Sequence, residues 1–296
     1  VNGSNPARRQ PRRNDIGPLH RIVGTFRNLL AGFRRNDPYS VEPRPLVFSE
    51  CPAAISWSAK SASAQVLIWY LLKENLLDEA VVYHHWIHSY RQGELYKSKL
   101  FRQSLARLRN NESKHGSLIR VMRFPVNRLV SSYRHALLFG YADRPMTEVL
   151  GREIRSDEGF SIALFLEFLK QIDITTCDIH YRAQINLIDA LEFKHLVVIN
   201  PDRDQLFARL NEVEEELGMS VTDFAAVDTF DQVASVHHTR PSHDPPAGDL
   251  YNRAFRTEEI RERIPGRQLR DLPPVQRAAQ AIYARDYAYL ANHGAL

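Results

Sequence analysis

The sequence predicts an α/β fold in which a central parallel sheet is flanked by helices. Short apolar segments of strand length alternate with longer segments of helical periodicity along the body of the chain. The composition is that of a globular protein, with 44% hydrophobic and 25% charged residues, and 296 residues can bury a sizeable core. Ligands of such folds bind at the carboxyl ends of the strands. We therefore expect the functional residues in the loops that follow the strands.

The N-terminal region differs in charge from the rest of the chain. The first 50 residues carry nine arginines and four acidic residues, whereas the remaining 246 have a net charge of −1. Residues 1–15 are typical of a flexible basic arm. Residues 16–35 have apolar positions three and four apart, which predicts a basic amphipathic helix that either binds an anionic membrane surface or packs on the domain. The body lacks the basic, aromatic-rich face of a nucleic-acid binder, so we expect no nucleic-acid partner.

Residues 45–296 are predicted to form the α/β domain. Five segments have the composition of strands: LVFSE (46–50), AISWSA (54–59), AVVYHHWI (80–87), SLIRVM (117–122) and KHLVVI (194–199). Helical periodicity falls at residues 64–77, 95–109, 126–139, 159–171, 182–191 and 202–217. The two cysteines have no metal-binding spacing and no apolar run reaches membrane-spanning length, so we expect a cytoplasmic protein, with any membrane attachment peripheral.

A loop rich in small residues follows the second predicted strand. It consists of Lys60, Ser61, Ala62 and Ser63, and an apolar helix begins directly after it. Small side chains leave backbone N–H groups free to hold a phosphate at the helix N-terminus, and Lys60 adds a positive charge. The segment aligns with the nucleotide P-loop pattern, but Ala54 and Ala59 replace the two glycines, which argues against a standard ATP-binding loop.

A second candidate phosphate site follows the strand at residues 117–122. Arg123 stands at the end of that strand, and Ser131 lies two turns into the next predicted helix. A planar guanidinium and a hydroxyl at these positions can converge on one phosphate group.

Together the two motifs resemble those of sulfotransferases that use 3′-phosphoadenylyl sulfate (PAPS). K-S-A-S after a strand is followed about sixty residues later by R-x-P-x-x-R-x-x-S-x-Y. Further segments resemble the carbohydrate branch of these enzymes, the chondroitin and HNK-1 type (sulfotransferase family 2): DIHYRAQ (178–184), residues 192–213, His238-Thr239-Arg240 and a closing helix at 281–290. The resemblance implies a three-layer, P-loop-like fold.

The resemblance also implies an activity. The enzyme would move a sulfuryl group from PAPS to a hydroxyl of a glycan, polysaccharide or glycolipid, and release 3′,5′-ADP (PAP) without a metal. In that family the lysine loop holds the 5′-phosphosulfate, while the residues equivalent to Arg123 and Ser131 hold the 3′-phosphate. Arg240 would reach the phosphosulfate. Ala59, Ala64 and Phe124 depart from the family pattern, but one lost neutral hydrogen bond costs only about 0.5–1.5 kcal/mol, so we expect donor binding to be retained.

Sulfuryl transfer needs a base for the acceptor hydroxyl and a cation at the bridging oxygen. Lys60 suits the second role. For the base, the resemblance directs attention to the histidines of the segment at 80–87, and an imidazole suits hydroxyl deprotonation. We expect His85, with His84 as the alternative, because adjacent strand residues face opposite ways. His180 and His88 are candidate acceptor-binding residues.

Three other interpretations remain open. A P-loop-type kinase with a degenerate loop would bind ATP and Mg²⁺ and needs an acidic metal ligand at a strand end. A non-catalytic protein of the same fold would bind a nucleotide or glycan without turnover. A metal site is conceivable at His84 with His88, or among His237, His238 and His243, but no acidic or cysteine partner lies at ligand spacing, so we expect no metal.

Overall fold

The computed structural model describes residues 39–110, 116–230, 248–260 and 266–296. Several predicted features lie outside these residues: the basic arm (1–15), the amphipathic helix (16–35), His237, His238, Arg240 and His243. Within the described ranges, no helix combines the length and the apolar character needed to cross a membrane.

A four-stranded sheet lies at the centre of the described chain. Its strands, in spatial order, are β1 (Leu46–Val47), β2 (Ala53–Trp57), β3 (Ser117–Val121) and β4 (His195–Ile199). β1 pairs antiparallel with β2, whereas β2, β3 and β4 are parallel. Trp57, Val121 and Ile199 stand in one row across the sheet. The loops that follow the three parallel strands therefore leave from the same edge.

Helices flank this sheet. The α-helices of the described residues are α1 (Ser63–Lys73), α2 (Leu77–Tyr83), α3 (Ile87–Gly93), α4 (Lys99–Arg109), α5 (Pro125–Phe139), α6 (Asp143–Leu150), α7 (Ile162–Gln171), α8 (Leu206–Glu216), α9 (Thr257–Ile260), α10 (Gly266–Asp271), α11 (Pro273–Ile282) and α12 (Ala284–Asn292). Short 3₁₀ helices occur at Leu95–Lys97, Leu187–Ala190 and Phe224–Ala226. Every residue of β2 and β3 is buried, so both faces of these strands are covered, as is typical of parallel sheets. The predicted α/β class is confirmed.

The expectation that residues 80–87 are β-rich is wrong. α2 continues to Tyr83 and α3 begins at Ile87. The buried positions of α2 are Leu77 and Ala80, three residues apart, whereas Val82 is 87% exposed. Val81 and Val82 therefore lie on a helix surface, and their strand propensity is overridden by packing.

Three predicted helices differ most from the observed ones. The one expected at 64–77 ends at Lys73, because Asn75 takes up a left-handed conformation (φ 56°) that asparagine tolerates better than most residues. Residues 182–191 contain only the 3₁₀ helix Leu187–Ala190. The closing helix expected at 281–290 is divided between α11 and α12, which meet at Tyr283.

Two large apolar clusters support the sheet edge that carries the loops. One contains buried side chains of β1–β3, of helices α1–α4 and of α8, and the other contains those of α5, α7 and α11. The loop after β2 connects two elements of the first cluster, β2 and α1. The loop after β3 leads to α5, whose buried side chains belong to the second cluster. A third, smaller cluster joins Met122, which follows β3, to Ile185 and to Tyr289 and Leu290 of α12.

Candidate functional site

The loop between β2 and α1 has an unusual backbone. Lys60 has a φ of 69° and Ala62 a φ of 56°, both in the left-handed region. For residues with a side chain this conformation costs about 1–2 kcal/mol each. The tight turn therefore forms without glycine. Its left-handed residues are Lys60 and Ala62, whereas the P-loop pattern has its glycines at the positions of Ala54 and Ala59.

The first turn of α1 points out of this loop. The helix begins at Ser63, and Ala62, at the capping position, provides no side-chain hydrogen bond to the first-turn N–H groups. Those N–H groups, together with the positive end of the helix dipole, favour an anion. Ser61 faces the other way, because its buried hydroxyl donates to Gln184 Oε1 at 3.0 Å.

Lys60 is half-buried among arginines. Burial, together with the nearby charges of Arg123, Arg134 and Arg128, lowers the pKa of its ammonium group to about 8. Burial and Arg123 also lower the pKa of Arg134. Crowded cations of this kind are destabilised until an anion joins them. The site is therefore suited to phosphate or sulfate groups.

Arg123 links the end of β3 to the lysine loop. Its Nη1 donates to the carbonyl oxygen of Lys60 at 3.5 Å, and its Nε donates to Asp202 Oδ1 at 2.8 Å. Asp202, which follows β4, also accepts from the N–H of Phe124 at 3.1 Å. Sequence reasoning missed Asp202. Asp202 comes just after β4, the third parallel strand, and this position could have predicted that it lies at the same edge of the sheet.

Two further arginines of α5 contribute. Arg128 is buried and donates from Nε to the carbonyl of Ala59 at 2.9 Å and from Nη2 to the carbonyl of Ile179 at 3.0 Å, so it fixes two loops. Arg134 was missed by sequence reasoning, although it follows Ser131 by three residues and so shares its helix face. Ser131 itself is half-buried on that helix.

Gln184 connects the two candidate phosphate loops. Its buried Oε1 accepts from Ser61 Oγ at 3.0 Å and from the N–H of Arg123 at 2.9 Å, and its Nε2 donates to the carbonyl of Arg123 at 2.8 Å. Its own N–H donates to the carboxylate of Asp286, which is fully buried on α12. Gln184 belongs to the DIHYRAQ segment, but its contacts join positions far apart in sequence, which no local pattern indicates.

Replacing Gln184 with leucine should lower the free energy of unfolding by about 2–4 kcal/mol, because it leaves buried donors and acceptors of Ser61 and Arg123 unsatisfied. Chemical denaturation measures the loss. Gln171→Leu, at the exposed end of α7, is the matched control and should change stability by less than about 0.5 kcal/mol. Equal effects of the two substitutions would contradict the linking role of Gln184.

The histidines near residue 85 do not lie on a strand. His84 and His85 are exposed in the connection between α2 and α3, and their rings stack at 4.2 Å between centroids. His84 Nδ1 accepts from the N–H of Trp86 at 2.9 Å. The alternation argument that favoured His85 over His84 therefore fails. His88 is half-buried on α3, with its ring edge-to-face with Trp86.

His180 has a defined partner. Its Nδ1 lies 2.8 Å from Asp178 Oδ1, which also accepts from the N–H of His180 at 2.9 Å. Burial tends to raise the pKa of Asp178, but these two hydrogen bonds, together with nearby positive charge, outweigh it and hold that pKa below its ordinary value. The ring of His180 packs against His135 and Tyr141, with centroids 4.7 and 4.6 Å away.

Among the described residues, no group of three or more His, Cys, Asp or Glu side chains is arranged to hold a metal ion.

Comparisons with protein-family models, with curated proteins and with solved structures found no match to this chain.

Proposed function

We propose that the chain is a sulfotransferase that moves a sulfuryl group from PAPS to a hydroxyl of a carbohydrate, and that its sheet and loops form a P-loop-like fold. The observation that carries the proposal is the contact between Arg123 and Lys60 at adjacent strand ends, within a group of cations where burial and the neighbouring charges lower the pKa of Lys60. A donor with two separate phosphate-like ends would neutralise this group. The motif resemblance and the position of the α1 N-terminus support the same assignment.

Each residue takes one task in this proposal. The first-turn N–H groups of α1 and Lys60 bind the 5′-phosphosulfate, and Lys60 stabilises the negative charge that develops on its bridging oxygen. Arg123, Ser131 and Arg134 bind the 3′-phosphate. Gln184 holds the loop after β2 and the loop after β3 together through its hydrogen bonds to Ser61 and Arg123. Bound PAPS supplies an activated sulfuryl group, and a carbohydrate hydroxyl accepts it.

The kinase alternative is less well supported. It needs an acidic residue at a strand end to hold Mg²⁺ beside the phosphates. Asp202 has the right position, but both of its carboxylate oxygens are engaged, one by the guanidinium of Arg123 and the other by the N–H of Phe124. A carboxylate neutralised in this way is a poor metal ligand.

Calorimetric titration of the full chain with PAP, and separately with ATP and Mg²⁺, tests the proposal. We expect one PAP site with micromolar or tighter affinity, and at least tenfold weaker binding of ATP, on the order of 1.4 kcal/mol or more. Binding of ATP with Mg²⁺ in preference to PAP would favour the kinase. Lack of response to both ligands would overturn the proposal.

Arg123→Ala should discriminate between ligands with and without a 3′-phosphate. Loss of a charged hydrogen bond costs about 1.5–3 kcal/mol, so PAP affinity should fall roughly 10- to 150-fold. Affinity for adenosine 5′-phosphosulfate, which lacks the 3′-phosphate, should fall about threefold or less, on the order of 0.7 kcal/mol. Calorimetry measures both.

The control for this substitution is the double variant Arg123→Ala, Asp202→Asn. Removing the arginine alone frees the carboxylate of Asp202 to repel any anion, and the second substitution removes that repulsion. The selective loss of PAP binding should persist in the double variant. If both ligands are weakened equally in it, the 3′-phosphate site lies elsewhere.

A further inference from the structure

The Asp178–His180 pair has the form of an oriented base. Because the carboxylate of Asp178 accepts at 2.8 Å, the neutral imidazole carries its proton on Nδ1 and keeps the lone pair on Nε2. The side chain of His180 is 28% exposed, so Nε2 can be reached by a substrate. A base held in one tautomer by a third group is the general arrangement of an activated hydroxyl site.

The position of His180 relative to Lys60 follows from Arg128. One guanidinium binds the carbonyl of Ala59, which precedes Lys60, and the carbonyl of Ile179, which precedes His180. Arg128 therefore holds these two backbone segments close together. Lys60 is the next residue on one segment, and His180 is the next residue on the other. Ser132 on α5 adds a second tie, because its hydroxyl donates to the carbonyl of His180.

Packing fixes the ring of His180 as well as its backbone. The rings of His135 and Tyr141, from the end of α5 and the residues after it, pack against it. His84 and His85 lack such support: both are exposed, their ring contact is with each other, and the acceptor nitrogen of His84 is engaged by Trp86. Unlike His84 and His85, His180 has a carboxylate partner within hydrogen-bond distance.

We propose that His180, oriented by Asp178, is the general base that deprotonates the acceptor hydroxyl; this inference rests on the sulfotransferase function proposed above. As the acceptor oxygen forms its bond to sulfur, its proton passes to His180 Nε2. The bond between sulfur and the bridging oxygen breaks, and its electron pair stays on the 5′-phosphate of PAP, beside Lys60. Asp178 stabilises the imidazolium, which then returns the proton to solvent. His180 thus has a catalytic role rather than only an acceptor-binding one.

Release of PAP from PAPS, with a panel of unsulfated polysaccharides and with buffer alone, tests the role of His180. A general base contributes about 10²- to 10⁴-fold, so His180→Asn should slow release by at least about 100-fold. Its affinity for PAP should stay within about twofold, on the order of 0.4 kcal/mol. Asp178→Asn should slow release about tenfold, because the tautomer is no longer fixed. The matched control is His195→Asn, because His195 is exposed at the start of β4, at the opposite end of that strand from Asp202; this variant should release PAP at the wild-type rate.

A second measurement needs no turnover. Long-range nitrogen-15 NMR spectra of the free protein should show His180 as the Nδ1–H tautomer, and Asp178→Asn should convert it to a mixture of tautomers. A predominant Nε2–H tautomer in the wild type overturns the inference. So does near-wild-type release by His180→Asn, or a wild type that binds PAP but releases none from PAPS. If the wild type does not bind PAP at all, it is the proposed function that fails.

Discussion

Lys60→Met is expected to abolish sulfuryl transfer and, at the same time, to raise the free energy of unfolding at neutral pH. Transfer is lost because no other group described at the loop can stabilise the bridging oxygen in the same way. Stability rises because the fold buries Lys60 beside Arg123, Arg128 and Arg134, and so holds its pKa at about 8 against an ordinary value of 10.5. A tenfold change in proton affinity corresponds to about 1.4 kcal/mol, so the gain is at most about 3 kcal/mol.

The pH dependence of this gain follows from the direction of the pKa shift. Between about pH 8 and pH 10.5 the unfolded chain binds more protons at Lys60 than the folded chain does, so the stability of the wild type rises with pH across that window. The advantage of Lys60→Met should therefore be largest below pH 8 and vanish above about pH 10.5. Urea denaturation at a series of pH values measures it.

Lys73→Met provides the contrast. Lys73 forms an ion pair with the fully buried Glu214 at 2.6 Å. Its removal leaves a buried carboxylate without its cation, which should cost about 3–5 kcal/mol. If Lys60→Met also destabilises the protein at pH 7, as Lys73→Met should, then the burial of Lys60 beside the arginines does not lower the free energy of unfolding.

Arg120→Met is expected to destabilise the protein by about 3–5 kcal/mol, because it breaks a fully buried ion pair. Arg120 lies within β3 and donates from Nε to Asp189 Oδ1 at 2.8 Å, and both side chains have 0% exposure. Burial tends to lower the pKa of Arg120, but Asp189 outweighs it and the pKa is raised. Arg120 also donates to the carbonyl of Gln184, so its loss should loosen the connection between the loops that follow β2 and β3.

A double-mutant cycle separates the ion pair from the arginine's other contacts. Asp189→Leu alone should cost a similar amount, whereas Arg120→Met with Asp189→Leu should recover most of the loss, since a buried pair replaced by apolar side chains is often neutral. Thermal or urea unfolding of the three variants gives the coupling energy. Strictly additive losses would indicate that the two charges act independently of each other.

Much of the sheet could be predicted because its strands lie in short apolar runs, and β2 and β3 are buried on both faces. β2, β3 and β4 each lie within a segment assigned from composition, and their parallel pairing placed Lys60 and Arg123 at one edge. The segment at 80–87 was wrongly predicted to be β-rich, because valines and aromatic residues occur both in strands and on exposed helix surfaces.

The supporting contacts of the site were harder to predict. Gln184 and Asp286 lie in segments whose resemblance to a family was noted, but their hydrogen bonds join irregular loops and a distant helix. Such contacts have no periodic signature, because they depend on which loops the whole fold brings together. The Asp178–His180 pair is the exception: two residues separated by one position can form such a turn locally, so the D-x-H pattern itself was a usable signal.

The links through Gln184 also determine when the candidate site can form during synthesis. Ser61 and Gln184 are 123 residues apart, and Gln184 and Asp286 are a further 102 residues apart. At translation rates of about 5–20 residues per second, roughly 5–20 s separate the synthesis of Gln184 from that of Asp286. Until Asp286 emerges from the ribosome, the lysine loop lacks part of its buried support. The nascent chain should therefore complete the candidate site only when α12 folds into place.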